Sequence, residues 1–328
     1  MTTTLSIRYQ ISDIPPLIAV VGETASGKTA VGIKIAQKVG GEIICADSRT
    51  VYKQMNIGTA KPQLKNNNQT EIFNSVQNDS LGYIVDGISH HLINIVNPDQ
   101  DFSLADFKTM ATNCIQDILK RGKLPIVVGG TGLYIWTIVD NLDIPKIKPN
   151  IELRLELEKK SLSELVGQLQ EIDPESAAVI DLKNSRRVLR ALEVAITSGR
   201  SFIAQQTKSQ PLFNALQIGI DISKEELNTR IEKRVDAQMQ EGLLHETEGL
   251  VQAGYSWNLP SMSGIGYRQI GYYLQGKMSL PKAIETLKTD TKKYAKRQIT
   301  WFKRDKRIQW VKSENLKIVQ ELIEKFLM

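Results

Sequence analysis

The chain has 328 residues, of which 41% are hydrophobic and 24% charged, values that are ordinary for a globular protein. It contains no apolar run approaching the roughly 20 residues of a transmembrane helix, and residues 1–16 hold no continuous apolar block of the kind a signal peptide needs. Cys45 and Cys114 each lack a CxxC partner, which argues against a disulfide framework or a zinc site. We therefore expect a cytoplasmic protein that does not enter a membrane.

The net charge of +6 is concentrated towards the C-terminus. The stretch from Glu285 to Lys312 contains ten Lys or Arg and three Asp or Glu, so the rest of the chain is close to neutral. Such a cluster suggests a polyanion partner, because basic side chains that neutralise phosphates release counterions. A solvated basic helix is the alternative that the charge alone leaves open.

Short runs rich in β-branched residues predict strands at 17–21, 42–46, 91–96, 125–128 and, much later, 216–220. Amphipathic stretches at 29–39 and 103–120 separate the earlier runs, and this alternation is typical of βαβ units in a parallel sheet. The segment 141–201 has a polar-rich helical pattern without a strand candidate. Everything after Asp221 also has a helical pattern.

The strongest motif is GETASGKT at 22–29, which follows an apolar run and opens a helical pattern, as a P-loop requires. Its glycines let backbone N–H groups converge on phosphate oxygens, and the following helix adds its positive N-terminal end. Lys28 is placed to neutralise the outer phosphates and Thr29 to ligate Mg²⁺. The motif is that of ATP-binding and other nucleotide-binding proteins, so it predicts phosphate binding without naming a reaction.

Together these patterns predict an α/β fold. We expect a P-loop NTPase-like parallel-sheet core formed by residues 15–140 and 202–328, with its last strand at 216–220. An all-helical insertion is predicted at 141–201, and the C-terminal part is predicted to be helical.

Two features follow predicted strands at their carboxyl ends, where ligands bind in open α/β sheets. Asp47 comes after the second strand and could act as a base, hold Mg²⁺ or cap the next turn. The glycine-rich VGGTGLY at 128–134 places the Thr131 hydroxyl at the same mouth, either to admit a ligand closely or to make a tight turn.

Three groups of basic residues are candidates for phosphate contacts, and a solvated face is the alternative for each. The first group is Arg186, Arg187 and Arg190, and the second is Arg230 and Arg234. The third group, Lys293, Arg297 and Arg304, is predicted to share one helix face that could contact an RNA backbone. Trp301 and Phe302 are predicted to be core residues.

Read together, these segments resemble the tRNA dimethylallyltransferase family, also called tRNA isopentenyltransferases or IPP transferases, over nearly the whole chain. The matching blocks are GETASGKT at 22–29, ADS at 46–48, VYKQMNIGTAKP at 51–62, HHLINI at 90–95, VGGTGLY at 128–134, RRVLRALEV at 186–194, GIGYRQ at 264–269 and AKRQITWF at 295–302. A kinase or a GTPase shares only the first block. The chain lacks the C-terminal zinc-finger extension of eukaryotic members, which favours a bacterial-type enzyme.

The resemblance implies a Mg²⁺-dependent transfer of a dimethylallyl group from dimethylallyl diphosphate to N6 of an adenosine. The implied acceptor is the adenosine just 3′ of the anticodon in tRNAs that read codons beginning with U. Asp47 matches the carboxylate that takes the proton from the adenine amine, and Thr24 and Lys28 complete the implied catalytic set. The expected partners are the anticodon stem-loop of tRNA and dimethylallyl diphosphate, and we expect a monomer.

The resemblance also implies two sets of binding residues. The diphosphate set is Gly22, Glu23, Thr24, Ala25, Ser26, Gly27, Lys28, Thr29, Arg230 and Arg234, with Thr29 as the Mg²⁺ ligand. The tRNA set is Asp47, Ser48, Arg49, Thr50, Thr131, Arg154, Arg186, Arg187, Val188, Leu189, Arg190, Ser263, Gly264, Ile265, Gly266, Tyr267, Arg268, Lys296, Arg297, Gln298 and Thr300. In this reading the helical insertion grips the anticodon stem-loop.

The chain departs from the family pattern at five positions. Glu23 replaces the common P-loop proline, and Thr50 replaces the usual Gln after Asp47. Asn56, Asn94 and Asn184 stand where members usually carry Asp.

Three other functions remain as alternatives. A small-molecule kinase explains the P-loop but not the GIGYRQ and AKRQITWF blocks. An isopentenyltransferase that acts on free adenine nucleotides does not need the helical insertion or the basic C-terminal face. A non-catalytic RNA-binding protein does not need Asp47 beside a P-loop.

Overall fold

The structure is a computed structural model that describes residues 14–62, 83–144, 150–205 and 207–328. The chain divides into two compact units. The first, here called the core unit, comprises Met1–Val139 and Leu212–Met328, and the second, the helical unit, comprises Asp140–Pro211. The segment predicted as an insertion, 141–201, lies inside the helical unit.

A seven-stranded sheet forms the centre of the core unit as far as the structure describes it. Its strands are β1 (Pro16–Val21), β2 (Glu42–Cys45), β3 (Tyr83–Val85), β4 (Ile88–His91), β5 (Pro125–Gly129), β6 (Asn214–Asp221) and β7 (Gln309–Lys312). They lie in the order β3-β4-β2-β5-β1-β6-β7, and every neighbouring pair is parallel except the β3–β4 hairpin. The predicted α/β fold with a parallel-sheet core is confirmed.

Helices surround the sheet and build the helical unit. Those of the core unit are α1 (Lys28–Val39), α2 (Leu104–Lys120), α3 (Gly132–Val139), α8 (Lys224–Glu241), α9 (Leu243–Gln252), α10 (Tyr267–Leu274), α11 (Leu280–Phe302) and α12 (Leu316–Leu327). Those of the helical unit are α4 (Ile151–Leu157), α5 (Leu162–Ile172), α6 (Pro174–Val179) and α7 (Ser185–Ser198). Local signals set these boundaries: α2, for example, begins at a capping box in which Ser103 and Asp106 exchange hydrogen bonds.

The continuous apolar run of β1 is explained by burial on both faces of the sheet. Leu17 and Val21 belong to one apolar cluster with Phe107 of α2. Ile18, on the opposite face, belongs to a second cluster with Ile33 of α1. Because successive strand residues point to opposite faces, a strand covered on both sides needs apolar residues at every position.

The strand predicted at 91–96 is wrong in its position. The observed β4 spans Ile88–His91, so it ends at the first residue of the predicted run. Leu92 and Asn94 have φ values of 63° and 57°, in the left-handed region that interrupts an extended strand. Leu92 and Ile93 are buried and Ile95 and Val96 are half-buried in a connecting segment, so the apolar run there reflects burial and not a strand.

Two strands, β3 and β7, were missed because they have only three and four residues. The β3–β4 hairpin turns at Asp86 and Gly87, with φ values of 49° and 80°, the positive values that an Asp-Gly hairpin turn requires. The prediction that everything after Asp221 is helical is wrong at β7, a short edge strand in which only Val311 is buried. A four-residue strand with one buried side chain leaves no periodic signal.

A buried carboxylate ties the beginning of β2 to the neighbouring elements. Glu42 is 3% exposed and accepts hydrogen bonds from His91 at 2.8 Å and from Lys123 at 2.7 Å. The Arg121 guanidinium, at the end of α2, binds both carboxylate oxygens of Glu42. Burial alone would raise the pKa of Glu42, but the hydrogen bonds from Arg121, His91 and Lys123 hold it well below the usual range.

We expect Glu42→Ala to lower the free energy of unfolding by about 1–3 kcal/mol, because it leaves the buried His91 ring and the partly exposed Arg121 and Lys123 without their shared acceptor. Urea denaturation followed by circular dichroism measures this loss. Asp117→Ala is the matched control, because it removes an exposed carboxylate from the same Arg121 and should cost less than about 1 kcal/mol. Equal losses in the two variants would contradict the account of the Glu42 network.

The contribution of Glu42 to the free energy of unfolding should decrease when the pH is lowered. Its folded pKa lies below the unfolded value, so its stabilisation is fully present above the ordinary carboxyl pKa of 4.5. It is lost as the pH falls below that value towards the folded pKa. The difference between wild type and Glu42→Ala should therefore shrink on acidification below pH 4.5, measured by the same denaturation series.

Candidate active site

The P-loop connects β1 to α1 and wraps into a cradle. Ala25 and Gly27 have φ values of 65° and 94°, which turn the backbone back on itself before α1 begins at Lys28. No side chain caps the N-terminus of α1, so the N–H groups of its first turn are left for another acceptor. The Ser26 hydroxyl is buried without a hydrogen-bond partner in the described structure. This arrangement fits a phosphate group.

Cations from the P-loop and from α8 converge on this cradle. Lys28 donates to the Glu23 carbonyl at 3.1 Å, Arg230 to the Ser26 carbonyl at 3.2 Å, and Arg234 to the Thr24 hydroxyl at 3.2 Å. Burial lowers the pKa of Lys28 to about 8, although the nearby Asp47 charge acts in the opposite direction. The structure thus brings both predicted α8 arginines to the P-loop, where they surround the position of an anion.

Asp47 lies beside the P-loop because β2 and β1 are both neighbours of β5. The Ser48 N–H donates to the Thr131 hydroxyl at 3.1 Å, and the Thr131 N–H donates to the Ala46 carbonyl at 3.2 Å. A Cβ on Gly129 would lie 2.0 Å from the Ala46 carbonyl oxygen, so only glycine allows these two strand ends to approach this closely. Asp47 and Thr131 therefore lie close together at the carboxyl ends of the neighbouring strands β2 and β5.

The Asp47 carboxylate also accepts the Arg49 N–H at 2.8 Å. This local bond is the turn-capping role that the sequence left open. It uses one oxygen and orients the group, so capping and participation in a site are compatible. The charge of Asp47 is felt by Lys28, which places the carboxylate within electrostatic reach of the phosphate cradle.

Helix α11 forms the wall opposite the strand ends. Gln298 is 5% exposed, accepts the Thr24 N–H at 2.8 Å and donates to the Gly130 carbonyl at 2.8 Å. One turn earlier, Tyr294 lies close to Thr131 and Asp47. Tyr294 was not recognised as a site residue from the sequence, although its spacing from Gln298 places both on one helix face.

The outer side of α11 carries the basic residues. Lys293, Lys296, Arg297 and Thr300 are exposed along the helix. Arg304 does not share the helix as predicted, because α11 ends at Phe302. The guanidinium groups of Arg297 and Arg304 instead lie over the rings of Tyr294 and Trp301, each 5.7 Å from the ring centroid. These rings hold the two arginines at the edge of the site.

The segment before α10 adjoins the same edge through Arg49. The Arg49 guanidinium donates to the Pro260 carbonyl at 2.6 Å and approaches the Ser263 hydroxyl at 3.4 Å. Tyr267 is 1% exposed, and its hydroxyl donates to Glu246 at 2.6 Å. Ser263, Gly264, Ile265 and Gly266 lead into α10, and Arg268 pairs with Asp290 at 2.9 Å.

Several predicted contact residues have their side chains in packed positions. Thr50 is 5% exposed and its hydroxyl contacts the Asp47 carbonyl at 3.4 Å. In the helical unit, Val188 is fully buried and Leu189 packs against the same cluster, whereas Arg186 and Arg187 are exposed. The two polar ends of Gln298 are both engaged inside the core unit.

Arg154 and Arg190 of the helical unit share a buried carboxylate. Arg154 binds both oxygens of Glu193, at 2.8 and 2.9 Å, and Arg190 binds one of them at 2.7 Å. Burial would raise the pKa of Glu193, but these arginines hold it below its usual value. The pairing fixes both guanidinium groups on α4 and α7 while leaving about a third of each side chain exposed.

The departures from the family pattern fall into two kinds. Asn56, Asn94 and Asn184 retain the role of acceptors: the first two accept from the Lys61 ammonium at 3.2 and 2.6 Å, and the third caps α7. Glu23 differs, because one of its carboxylate oxygens is buried without a partner in the described structure. Burial raises the pKa of Glu23, despite opposing effects from its own N–H and Lys28.

The donor set suits a magnesium ion that is shared with a phosphate. Among the described residues no three His, Cys, Asp or Glu side chains converge as a metal site. Mg²⁺ commonly uses one or two protein oxygens together with phosphate oxygens and water. Thr29, which follows Lys28 in the first turn of α1, would supply such an oxygen.

No described helix is long and apolar enough to cross a membrane.

Comparisons with known proteins identify relatives along nearly the whole length of the chain. A tRNA dimethylallyltransferase of Pelotomaculum thermopropionicum is 42% identical over 305 residues, which cover 92% of this chain and 91% of that protein. The crystal structure of a full-length tRNA isopentenylpyrophosphate transferase from Bacillus halodurans has a TM-score of 0.68 at 35% identity, covering 95% of this chain and 96% of the other.

A structural neighbour with lower sequence identity is a eukaryotic dimethylallyltransferase acting on tRNA. It has a TM-score of 0.75 at 28% identity and covers 95% of this chain and 77% of its own. The sequence model of the IPP transferase family matches residues 50–305. With this match, and with a P-loop and Asp47 at the ends of β1 and β2, the two strands that flank β5, the chain belongs to the IPP transferase family.

Proposed function

We propose that this protein transfers a dimethylallyl group from dimethylallyl diphosphate to N6 of an adenosine in tRNA and releases diphosphate. The observation that carries the proposal is the adjacency of the P-loop cradle and Asp47. The cradle supplies Lys28, Arg230 and Arg234 for a leaving diphosphate, and Asp47 supplies a base beside it. A kinase uses a similar cradle, but the family relationship and the basic helix α11 favour tRNA as the acceptor.

In the proposed reaction the bond between C1 of the dimethylallyl group and the diphosphate oxygen breaks, and the diphosphate keeps the electron pair. The adenine N6 forms the new bond to C1 and loses one proton, which the Asp47 carboxylate accepts. Lys28, Arg230 and Arg234 stabilise the charge that develops on the diphosphate. Mg²⁺ held by Thr29 would add further neutralisation of that charge.

For the acceptor we propose the adenosine immediately 3′ of the anticodon in tRNAs that read codons beginning with U. Such a base is stacked in a loop and must be drawn into the enzyme, as RNA-specific proteins commonly do with loop bases. The exposed basic side of α11 is suited to the RNA backbone next to that base. We further propose that the protein works as a cytoplasmic monomer.

Radiolabelled dimethylallyl diphosphate with Mg²⁺ and unmodified tRNA, AMP or no acceptor tests the function. We expect label in tRNA alone, at the adenosine 3′ of the anticodon when the product is digested and mapped. Label in AMP would assign the protein to enzymes that act on free nucleotides. Hydrolysis of ATP without transfer of label would support a kinase instead.

Asp47→Asn tests the proposed base. The amide oxygen can still accept the Arg49 N–H, but the side chain can no longer take a proton. We expect kcat to fall by about 10²-fold or more, with the affinity for tRNA nearly unchanged, because a general base contributes about 10²–10⁴-fold. Single-turnover kinetics and filter binding measure the two quantities. Unchanged turnover would remove the base assignment.

The basic side of α11 can be tested through the salt dependence of tRNA binding. Replacing Lys293, Lys296 and Arg297, three exposed basic residues of α11, by Gln should reduce the slope of log Kd against log salt by about one unit for each lost phosphate contact. The control variant carries Gln at three exposed lysines of α1 and α2, Lys34, Lys38 and Lys120. It removes the same amount of charge elsewhere on the surface. Equal slopes in the two triple variants would show that α11 does not contact the RNA backbone.

A further inference from the structure

The buried side of α11 joins two segments of the site that are far apart in the chain. The Gln298 carboxamide accepts the Thr24 N–H with its oxygen and donates to the Gly130 carbonyl with its nitrogen, both at 2.8 Å. Thr24 belongs to the P-loop after β1, and Gly130 belongs to the turn after the neighbouring strand β5. One side chain therefore bridges the backbones of both segments.

The bridge lies where the two segments touch. A Cβ on Gly130 would lie 3.3 Å from the Gly22 carbonyl oxygen and 2.3 Å from Gln298 Nε2. The turn must therefore contain glycine at this point, and the amide fills the space that a side chain would take. With 5% exposure and one bond at each end, Gln298 has its amide directed at protein backbone and not at solvent.

Each end of the bridge continues to a group in the proposed reaction. On the P-loop side, the Thr24 hydroxyl accepts a hydrogen bond from Arg234, the residue that we propose binds the diphosphate. On the turn side, the Thr131 hydroxyl accepts a hydrogen bond from the N–H of Ser48, the residue that follows Asp47. The separation between the leaving-group cradle and the base therefore depends on the relative position of these two backbones.

The same helix face supports the turn at two more places. Tyr294 lies next to Thr131, and burial raises the pKa of its phenol, so the hydroxyl stays protonated. The Trp301 indole occupies the space beside Gly132, where a Cβ would lie 2.1 Å from the ring. Tyr294, Gln298 and Trp301 thus follow one side of α11 along the Gly130–Gly132 turn.

We infer that Gln298 is a positioning residue for the transfer, which holds the P-loop and the Thr131 turn at the separation that the reaction needs. This inference rests on the proposed function. It gives Gln298 a role inside the enzyme in place of the direct tRNA contact that the family resemblance implies. A displacement of about 1 Å between reacting groups can cost about 10²-fold in rate, so such a bridge has a kinetic effect without touching the substrate.

Gln298→Leu and Gln298→Glu separate the two ends of the bridge. Leucine removes both hydrogen bonds at similar size, whereas glutamate keeps an acceptor for the Thr24 N–H and loses the donor to Gly130. We expect Gln298→Leu to lower kcat by about 10²-fold with KM for tRNA within about threefold of wild type. Gln298→Glu should retain an intermediate kcat. Gln252→Leu, at an exposed position ending α9, is the matched control and should leave both parameters unchanged.

Hydrogen exchange at the Thr24 amide gives a readout that does not require activity. Its exchange should be about tenfold faster in Gln298→Leu and close to wild type in Gln298→Glu, because only the first loses the acceptor. A raised KM for tRNA with unchanged kcat would overturn the inference in favour of an RNA contact. Unchanged Thr24 exchange in a folded Gln298→Leu variant would also overturn it. If wild type itself transfers no label to tRNA, the proposed function fails, and the exchange result still decides whether the bridge exists.

Discussion

The site depends on parallel pairing among β1, β5 and β2, which are adjacent in the sheet. Parallel strands end at the same edge, so the P-loop after β1, the glycine turn after β5 and Asp47 after β2 necessarily come together. The close approach of Gly129 to the Ala46 carbonyl sets the distance between the ends of β5 and β2. Helix α11 then closes the opposite side through Gln298 and Tyr294. The sheet places the groups side by side, and α11 keeps them at a fixed separation.

The charges of the site are arranged for a substrate that brings its own negative charge. Lys28 and Arg234 are partly buried, and this burial lowers the pKa of each, so holding the two cations here costs solvation free energy. A bound diphosphate would neutralise them. Glu23 opposes this arrangement, because it adds a buried carboxyl group to the loop that must accept an anion. Its raised pKa reduces the fraction of molecules in which that group is charged.

Much of this arrangement could be predicted from the sequence, because the P-loop and the buried strands carry local signals. The runs around Val20 and Val127 identify core strands, and the residue after each strand then marks the site edge. The strand placed at 91–96 failed because apolar burial in a connecting segment looks like a strand until the positive φ of Leu92 is known. Gln298 shows the other limit: its motif suggested RNA contact, whereas its partners come from segments that only the fold brings together.

In the proposed reaction one edge of the sheet presents the leaving diphosphate and the Asp47 base to the same adenine. The most direct test is a crystal structure of the protein with the thiodiphosphate analogue of dimethylallyl diphosphate and an unmodified anticodon stem-loop. We predict the adenine N6 at about 2.6–3.2 Å from an Asp47 oxygen and about 3–3.5 Å from C1 of the dimethylallyl group. An ordered complex in which the analogue occupies the P-loop but the adenine amine lies beyond the reach of Asp47 would contradict the account.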